Sequence, residues 1–309
     1  MSAAATEMKA STNAVLAIVM SVRSVPVAHA TAMASTGPRT MAVRSAATCV
    51  VVFMSLMSTP AGPRATARRP DLCCTFTVVS DLTPDLIAEL TAIDTPSVCN
   101  ALELLVPERR GYGFTTQPLV CTRPDLGPLV GVARTATLRA AHPNYDDSSP
   151  AVRDAYYEYI DRGPKPSIVV IQDLDDANGY GSFWGEVNSN IHKGLGCNGV
   201  ITNGSVRDLP DIAEGFNMWA DRVGPSHAFV HVVDFGRSVT VAGMRVSDGD
   251  IIHADQHGAV VIPSDVAGKV KAAVQLVARR ERVVISAAQQ PGFDIDALRA
   301  AQTAAAKVE

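Results

Sequence analysis

The sequence predicts an α/β fold. Short β-branched runs at residues 168–171 and 199–201 are typical of buried strands. A glycine-rich stretch follows each run, and the segment between them has room for one helix. Thr-Pro pairs that begin at Thr83 and Thr95 indicate two helix starts, because a capping hydroxyl precedes a proline at the first helical position. Such alternation predicts a sheet with helices packed on it, whose ligands lie beyond the C-terminal ends of neighbouring strands.

Composition limits the class of protein. The chain has 309 residues, of which 47% are hydrophobic, enough for an ordinary core. A net charge of −4 argues against an electrostatic grip on nucleic acid. No apolar run reaches the roughly 18 residues that a membrane span needs. The six cysteines contain no C-x-x-C pair, so free thiols in a reducing compartment, the cytoplasm, are expected.

Residues 1–76 differ from the rest of the chain. They are rich in Ala, Ser, Thr and Val with scattered Arg, and Glu7 is the single acidic residue before residue 70. This composition is typical of a disordered or spurious extension or of an organelle transit peptide. A signal peptide is a third interpretation, although Lys9 is the one basic residue before the apolar run. In every case the folded domain is predicted to span residues 77–309.

Further elements follow along the folded part. Residues 128–138 alternate as a strand should, and residues 151–160 predict a helix whose tyrosines pack in the core. A short helix closed by Gly215 is expected after Asp208, followed by a β-rich layer over residues 228–262. Ser264 and Asp265 are expected to cap one last long helix with an apolar valine stripe.

The candidate chemistry lies at the ends of the two central strands. Arg207 and Asp208 follow a turn expected at Gly204-Ser205, which would aim both side chains at one site, and Glu186 lies in the neighbouring loop. A guanidinium suits a carboxylate or an enolate oxygen, and carboxylates suit a hard divalent cation. The alternative is an Arg-Asp ion pair that caps a helix, with Glu186 on a solvated face.

A helix is expected to begin just after Gly185, so backbone N–H groups of the first turn could hold an anion. The residues concerned are Gly185, Glu186, Val187 and Asn188. A metal ion together with these N–H groups would suit a small anionic substrate, because a metal polarises a carbonyl and stabilises an enolate.

The spacing of Glu186 from Arg207 and Asp208 resembles that of a known family. Glu186, twenty intervening residues and then Arg207-Asp208 match the acidic-x20-Arg-Asp signature of the RraA-like family. Residues 199–208, 246–250 and 254–263 also resemble it, and the similarity covers about residues 82–284. That family includes regulators of ribonuclease activity A and 4-hydroxy-4-methyl-2-oxoglutarate aldolases.

The resemblance implies a swivelling β/β/α fold, assembled as a trimer or a dimer of trimers, with active sites at subunit interfaces. It implies that Asp208 holds Mg²⁺ or Mn²⁺ largely through waters and that Arg207 binds the keto oxygen and stabilises the enolate. It further implies that Glu186 positions a metal-bound water and that nearby amides hold the carboxylate. Glu281 is a loose match to a glutamate that the aldolases draw from a neighbouring subunit.

The function expected on this basis is a metal-dependent, class II lyase that forms pyruvate from 4-hydroxy-2-oxo acids or from oxaloacetate. The rival from another class is a regulator that binds a ribonuclease without chemistry. A Schiff-base mechanism at Lys193 is disfavoured, because His192 and Gly194 suggest an exposed, polar setting that does not depress an amine pKa.

The remaining conspicuous residues receive structural interpretations. His253, Asp255 and His257 are expected to form hydrogen bonds rather than a metal site, since no cysteine lies near them. Cys197 is expected to be a small core residue. Trp184 is left open between lining a pocket and packing.

Overall fold

A computed structural model describes residues 82–145 and 149–309. The predicted extension, residues 1–76, and its boundary at residue 77 lie outside these ranges and stay predictions. The described part has the mixed α/β fold that the sequence predicts. None of its helices is long and apolar enough to cross a membrane.

The described helices are α1 (Pro84–Thr91), α2 (Thr95–Leu105), α3 (Ser149–Asp161), α4 (Glu186–Gly194), α5 (Val270–Ala288) and α6 (Ile295–Ala305). The described strands are β1 (Val120–Cys121), β2 (Leu129–Arg139), β3 (Ser167–Asp173), β4 (Ser182–Trp184), β5 (Cys197–Val206), β6 (Asn217–Val223), β7 (His231–Phe235), β8 (Val239–Val241), β9 (Met244–Val246), β10 (Ile251–Asp255) and β11 (Gly258–Ile262).

Nine of these strands form one sheet in the order β1-β6-β5-β3-β2-β10-β11, with β4 paired to β5 and β7 paired to β2. The central neighbours β2, β3, β5 and β6 run parallel, whereas β1, β7, β10 and β11 pair antiparallel. The remaining two, β8 and β9, form a separate antiparallel pair. The parallel centre places the C-terminal ends of β3 and β5 at the same edge of the sheet.

The central strand β3 is buried on both faces. Val169 and Ile171 pack in the cluster that includes residues of α3, and Ile168 and Val170 pack in the cluster that includes residues of β8 and β9. Successive residues of a strand point to opposite faces, so a continuous apolar run is what a doubly covered strand requires. The neighbouring β2 is also buried almost throughout. The predicted strand is therefore present, but buried and exposed residues do not alternate along it.

Both predicted helix starts are present. Thr83 caps α1 by accepting the backbone N–H of Leu86 at 3.2 Å. The cap of α2 lies one residue earlier than expected, because Asp94 accepts the N–H of Ser97 at 2.7 Å. Helices α1, α2 and α5 then pack their apolar faces against β2, β10 and β11.

Three expectations for the C-terminal half are wrong. Gly204 and Ser205 do not form a turn but lie inside β5, where β4 and β6 pair on either side and the register shifts after Thr202. A short 3-10 helix, Leu209–Asp211, replaces the helix expected before Gly215. The single last helix is two helices, α5 and α6.

The sequence interpretation also missed β6. Its residues do not form a β-branched run, but pairing to β1 and β5 makes it a strand and buries Met218 and Trp219. Propensity is a weak guide where neighbouring strands supply the backbone partners.

Candidate active site

The candidate site is a corner where α4 begins beside the end of β5. The short strand β4 runs parallel to β5, with Trp184 opposite Val206. The N–H of Arg207 donates to the Trp184 carbonyl at 3.0 Å. This pairing brings Gly185 and Glu186 next to Arg207 and Asp208, although about twenty residues separate the two pairs in sequence.

The corner requires a glycine at residue 185, because Arg207 and Asp208 approach its backbone closely. A Cβ atom there would lie 2.5 Å from Asp208 Oδ2 and 3.0 Å from Arg207 Cγ. Its φ of −172° is ordinary extended backbone, so space rather than conformation is the constraint. The glycine therefore lets the end of β5 pack directly against the start of α4.

The chain turns at Asp208 and not at Gly204. Asp208 adopts φ 54° and ψ 43°, a left-handed conformation that aspartate tolerates better than most residues. Its Oδ2 atom accepts the N–H of Glu186 at 3.3 Å and lies 3.3 Å from Arg207 Nε. The turn thus folds the carboxylate back beside its neighbour's guanidinium.

Several polar groups of the corner remain available. Within the described residues, no group donates to Asp208 Oδ1, and the terminal nitrogens of Arg207 have no acceptor. The side chains of Arg207 and Asp208 are 27% and 35% exposed, and Glu186 is exposed as well. The corner can therefore offer a guanidinium and carboxylate oxygens to a ligand.

The first turn of α4 adds backbone donors. The N–H groups of Val187 and Asn188 precede the first intrahelical hydrogen bond, so the helix itself leaves them unpaired. The Asn188 side chain is already engaged: its Nδ2 donates to the Phe183 carbonyl at 2.5 Å and its Oδ1 accepts the Tyr157 hydroxyl at 2.9 Å. Only the backbone of Asn188 could contribute to an anion cradle.

The donor set fits a magnesium ion. The described residues contain no group of three or more His, Cys, Asp or Glu side chains close enough to hold a metal. Mg²⁺ is commonly held by one or two carboxylates and keeps several waters, so the carboxylates of Asp208 and the nearby Glu186 are ligands of a suitable type and number. A transition-metal site built from several imidazoles or thiolates does not fit here.

Helix α4 shows where one expectation was wrong. His192 is not exposed but wholly buried, and its ring centroid lies 4.4 Å from that of Trp184. Burial lowers the pKa of His192 to about 4, so the imidazole is neutral near pH 7. Trp184 is 1% exposed and stacks on Phe216, which assigns it to packing.

Lys193 is half-buried rather than exposed. Its Nζ donates to the Gly215 carbonyl at 2.9 Å, which ties α4 to the loop before β6. The amine has a structural hydrogen bond, and the prediction that it is not a Schiff-base nucleophile stays a prediction.

The histidines of the β layer have structural partners, as expected. His253 is buried; its Nδ1 lies 3.0 Å from Thr95 Oγ1 and its Nε2 2.9 Å from the Ile93 carbonyl. His257 contacts Asp255, whose carboxylate also accepts the N–H of Thr95. Glu281 lies on α5 and accepts a hydrogen bond from Asn100 of its own chain at 3.4 Å.

The thiols agree with the expectation from sequence. Cys99, Cys121 and Cys197 are free in the described residues, and Cys197 is wholly buried beside Ser167. Burial raises the pKa of all three thiols, which disfavours the reactive thiolate.

Comparison with solved structures supports the fold. An uncharacterised protein from Pseudomonas syringae pv. tomato aligns with a TM-score of 0.55 at 21% identity, over 72% of this chain and 95% of that one. RraAS2 of Streptomyces coelicolor, described as an unusual member of the RNase ES inhibitor RraA protein family, aligns with a TM-score of 0.51 at 23% identity, over 65% and 96% of the two chains. At these identities the likeness establishes the fold alone.

One curated relative is much longer than the region that matches this chain. Protein DlpA of Legionella pneumophila is 23% identical over 193 residues, which is 61% of this chain. The match spans 29% of the length of DlpA, so whatever DlpA does as a whole protein does not carry over.

The family assignment rests on a profile match. The family described as RraA-like, Aldolase/RraA, matches residues 95–261, a range that includes Glu186, Arg207 and Asp208 and exceeds half of the 309 residues. The resemblance seen in the acidic-x20-Arg-Asp spacing is thereby confirmed, and the chain belongs to the RraA-like family.

Proposed function

We propose that this chain is a divalent-metal-dependent carbon–carbon lyase. Its substrates would be 4-hydroxy-2-oxo acids such as 4-hydroxy-4-methyl-2-oxoglutarate, cleaved to pyruvate, with oxaloacetate decarboxylation as a second reaction. Both reactions pass through the enolate of pyruvate, so one arrangement of charges serves both.

The observation that carries the proposal is the pairing at Asp208. Its carboxylate is held by the Glu186 N–H and by Arg207 Nε, each at 3.3 Å, while one carboxylate oxygen and the outer edge of the guanidinium remain open. A simple helix-capping ion pair would need only the Oδ2 contacts, and it would leave the open Oδ1 atom and the outer edge of the guanidinium unused. The arrangement is suited to a ligand that needs a cation and a guanidinium together.

Each residue has a role in the proposed reaction. As the 4-hydroxyl loses its proton to a water oriented by Glu186, C4 becomes a carbonyl, the C3–C4 bond breaks, and its electron pair becomes the enolate. Arg207 would donate to the keto oxygen on which this negative charge develops. The backbone N–H groups of Val187 and Asn188 would hold the substrate carboxylate. Glu186 would orient the water that returns a proton to C3.

Mg²⁺ or Mn²⁺, when held by Asp208, would act as a Lewis acid on the 2-oxo group. The open Oδ1 atom and the exposed carboxylate of Glu186 are the oxygens that fit such an ion.

The test is pyruvate release, coupled to lactate dehydrogenase, from oxaloacetate and from 4-hydroxy-4-methyl-2-oxoglutarate. We expect turnover that requires Mg²⁺ or Mn²⁺ and that EDTA abolishes. Turnover that persists in EDTA would contradict the metal role. No pyruvate from either acid, together with binding of a ribonuclease, would favour the regulatory function instead.

We also propose that the chain forms a homotrimer or a dimer of trimers. The family resemblance suggests this assembly, and Val187 and Ile191, which are 68% and 37% exposed on one face of α4, are apolar side chains that such an interface would cover. Light scattering coupled to gel filtration tests this, and we expect Ile191→Glu to lower the oligomer mass. A monomeric wild-type protein would contradict the assembly.

A further inference from the structure

Two adjacent tyrosines of α3 hold two residues of α4. The Tyr157 hydroxyl donates to Asn188 Oδ1 at 2.9 Å, and the Tyr156 hydroxyl lies 2.8 Å from His192 Nε2. Asn188 and His192 are four residues apart and therefore share one face of the helix. We call these four residues the tyrosine clamp.

The hydrogen-bond pattern specifies each donor. His192 Nδ1 lies 2.7 Å from the Asn188 carbonyl, which can only accept, so Nδ1 carries the proton. His192 Nε2 must then accept from the Tyr156 hydroxyl. The neutral imidazole is thus held in one tautomer, with its ring wholly buried against Trp184.

The clamp reaches both sides of Gly185. On one side, Asn188 Nδ2 donates to the Phe183 carbonyl in β4, and the His192 ring packs on Trp184. On the other side, Asn188 belongs to the first turn of α4, which begins at Glu186. Trp184 in turn accepts the N–H of Arg207. The clamp thereby connects α3 to the segment that presents Glu186 and to the one that carries Arg207.

We propose that Tyr156 and Tyr157 are positioning residues, which fix the rotation and height of the first turn of α4 relative to Arg207 and Asp208. Apolar packing alone is not directional, whereas a hydrogen bond to each of two residues on one face sets the helix orientation. Neither tyrosine reaches the corner itself; each acts through Asn188 or His192. The effect on turnover rests on the proposed function, but the positioning itself does not.

The experiment compares three tyrosine-to-phenylalanine variants of one helix in the full-length protein. Tyr156→Phe and Tyr157→Phe each remove one clamp hydroxyl. Tyr159→Phe is the matched control, because its hydroxyl bonds the Thr135 N–H and Asp248 and has no link to α4. Two readouts are measured: hydrogen exchange of peptides covering residues 183–192, and kcat and KM for Mg²⁺-dependent oxaloacetate decarboxylation.

We expect Tyr157→Phe to lower kcat about tenfold and to raise KM as well, since the first turn of α4 carries Glu186 and the N–H groups proposed to hold the substrate carboxylate. We expect faster exchange in residues 183–192 for both clamp variants. Tyr159→Phe should lower the melting temperature while leaving kcat and that exchange at wild-type values.

Wild-type exchange over residues 183–192 in both clamp variants would overturn the proposal, as would the same loss of kcat in Tyr159→Phe. Should Tyr156→Phe not fold, the partly exposed Tyr157→Phe decides alone. If the wild-type protein turns over neither oxo acid, the proposed function fails, and the exchange measurement still decides whether the clamp orders α4.

Discussion

Gly185 shows how one missing side chain shapes the candidate site. The atoms that a Cβ would meet belong to the two residues with the proposed charges, Arg207 and Asp208. The backbone of Gly185 is one that any residue can adopt. A side chain is therefore excluded at residue 185 by the packing of the corner and not by the backbone conformation.

Gly185→Ala is expected to displace the Asp208 carboxylate and to lower lyase turnover at least tenfold, because positioning errors near 1 Å carry such costs. The matched control is Gly194→Ala, at the end of the same helix, where an added Cβ meets no atom within 4 Å. Coupled pyruvate assays on both variants check this. Equal activity in the two would show that close approach at residue 185 is unimportant.

Asp208 is expected to be the residue on which metal dependence rests. Asp208→Asn keeps the side-chain shape and a residue that tolerates the left-handed backbone, but it removes the charge. We expect turnover to fall about a hundredfold, since the metal's charge stabilisation is lost. Titration calorimetry should show weakened Mn²⁺ binding, while the free energy of unfolding changes by less than about 0.5 kcal/mol.

Asp211→Asn, an exposed carboxylate three residues on, is the control and should bind Mn²⁺ as the wild type does. Unchanged Mn²⁺ affinity in Asp208→Asn would remove Asp208 from the metal site.

At the scale of elements, a buried ion pair joins β2, α3 and the turn before β10. Arg134 Nη1 lies 2.8 Å from Asp248 Oδ2, and both side chains are about nine-tenths buried. The guanidinium also stacks 3.5 Å above the Tyr159 ring and donates to the Tyr159 carbonyl. These contacts fasten α3 to the sheet.

Asp248→Asn is expected to lower the free energy of unfolding by about 3 kcal/mol, because it leaves the Arg134 charge buried without a counter-charge. Urea denaturation followed by circular dichroism measures this. Asp234→Asn removes the charge of an exposed pair with Arg237 at 3.8 Å and keeps an oxygen that can accept the Phe235 N–H, so it should change stability by less than about 1 kcal/mol. A loss of similar size in both variants would mean that burial does not govern the cost.

At the scale of the whole molecule, two buried neutral histidines link folding to pH. Burial lowers the pKa of His192 to about 4 and also lowers that of His253. The unfolded chain takes up protons at both imidazoles below about pH 6.5, whereas in the folded chain the lowered pKa values keep them neutral to a lower pH. Proton uptake therefore stabilises the unfolded state, and stability is lost as the pH falls from about 6.5 toward 4.

We expect the free energy of unfolding to fall well below pH 6.5 with a limiting slope of about 1.4 kcal/mol per pH unit from His192, and His253 should add a loss of the same sign. Urea denaturation at steps from pH 7 to pH 5 measures the slope. His192→Gln should reduce this slope by the contribution of His192, and the contribution of His253 should remain. A flat stability curve between pH 6.5 and pH 5 would show that the imidazoles are protonated in the folded state.

Local patterns were enough to predict much of this molecule. The apolar run of β3, the starts of α1 and α2, and the spacing of Glu186 from Arg207 and Asp208 are all properties of neighbouring residues in sequence. Periodicity and capping chemistry act within a few residues, so they can be read without knowing what packs where. The resemblance to the RraA-like family came from the same spacing.

Tertiary structure alone decided how those residues meet. Pairing of β4 and β6 with β5 kept Gly204 extended and moved the turn to Asp208, and packing of α4 under α3 buried His192. These outcomes depend on segments that are far apart in the chain, and a local pattern carries no information about which distant segment supplies a partner or excludes water. Sequence thus determined many of the elements and the candidate residues, while long-range packing determined the remaining elements and the orientation and charge state of the side chains.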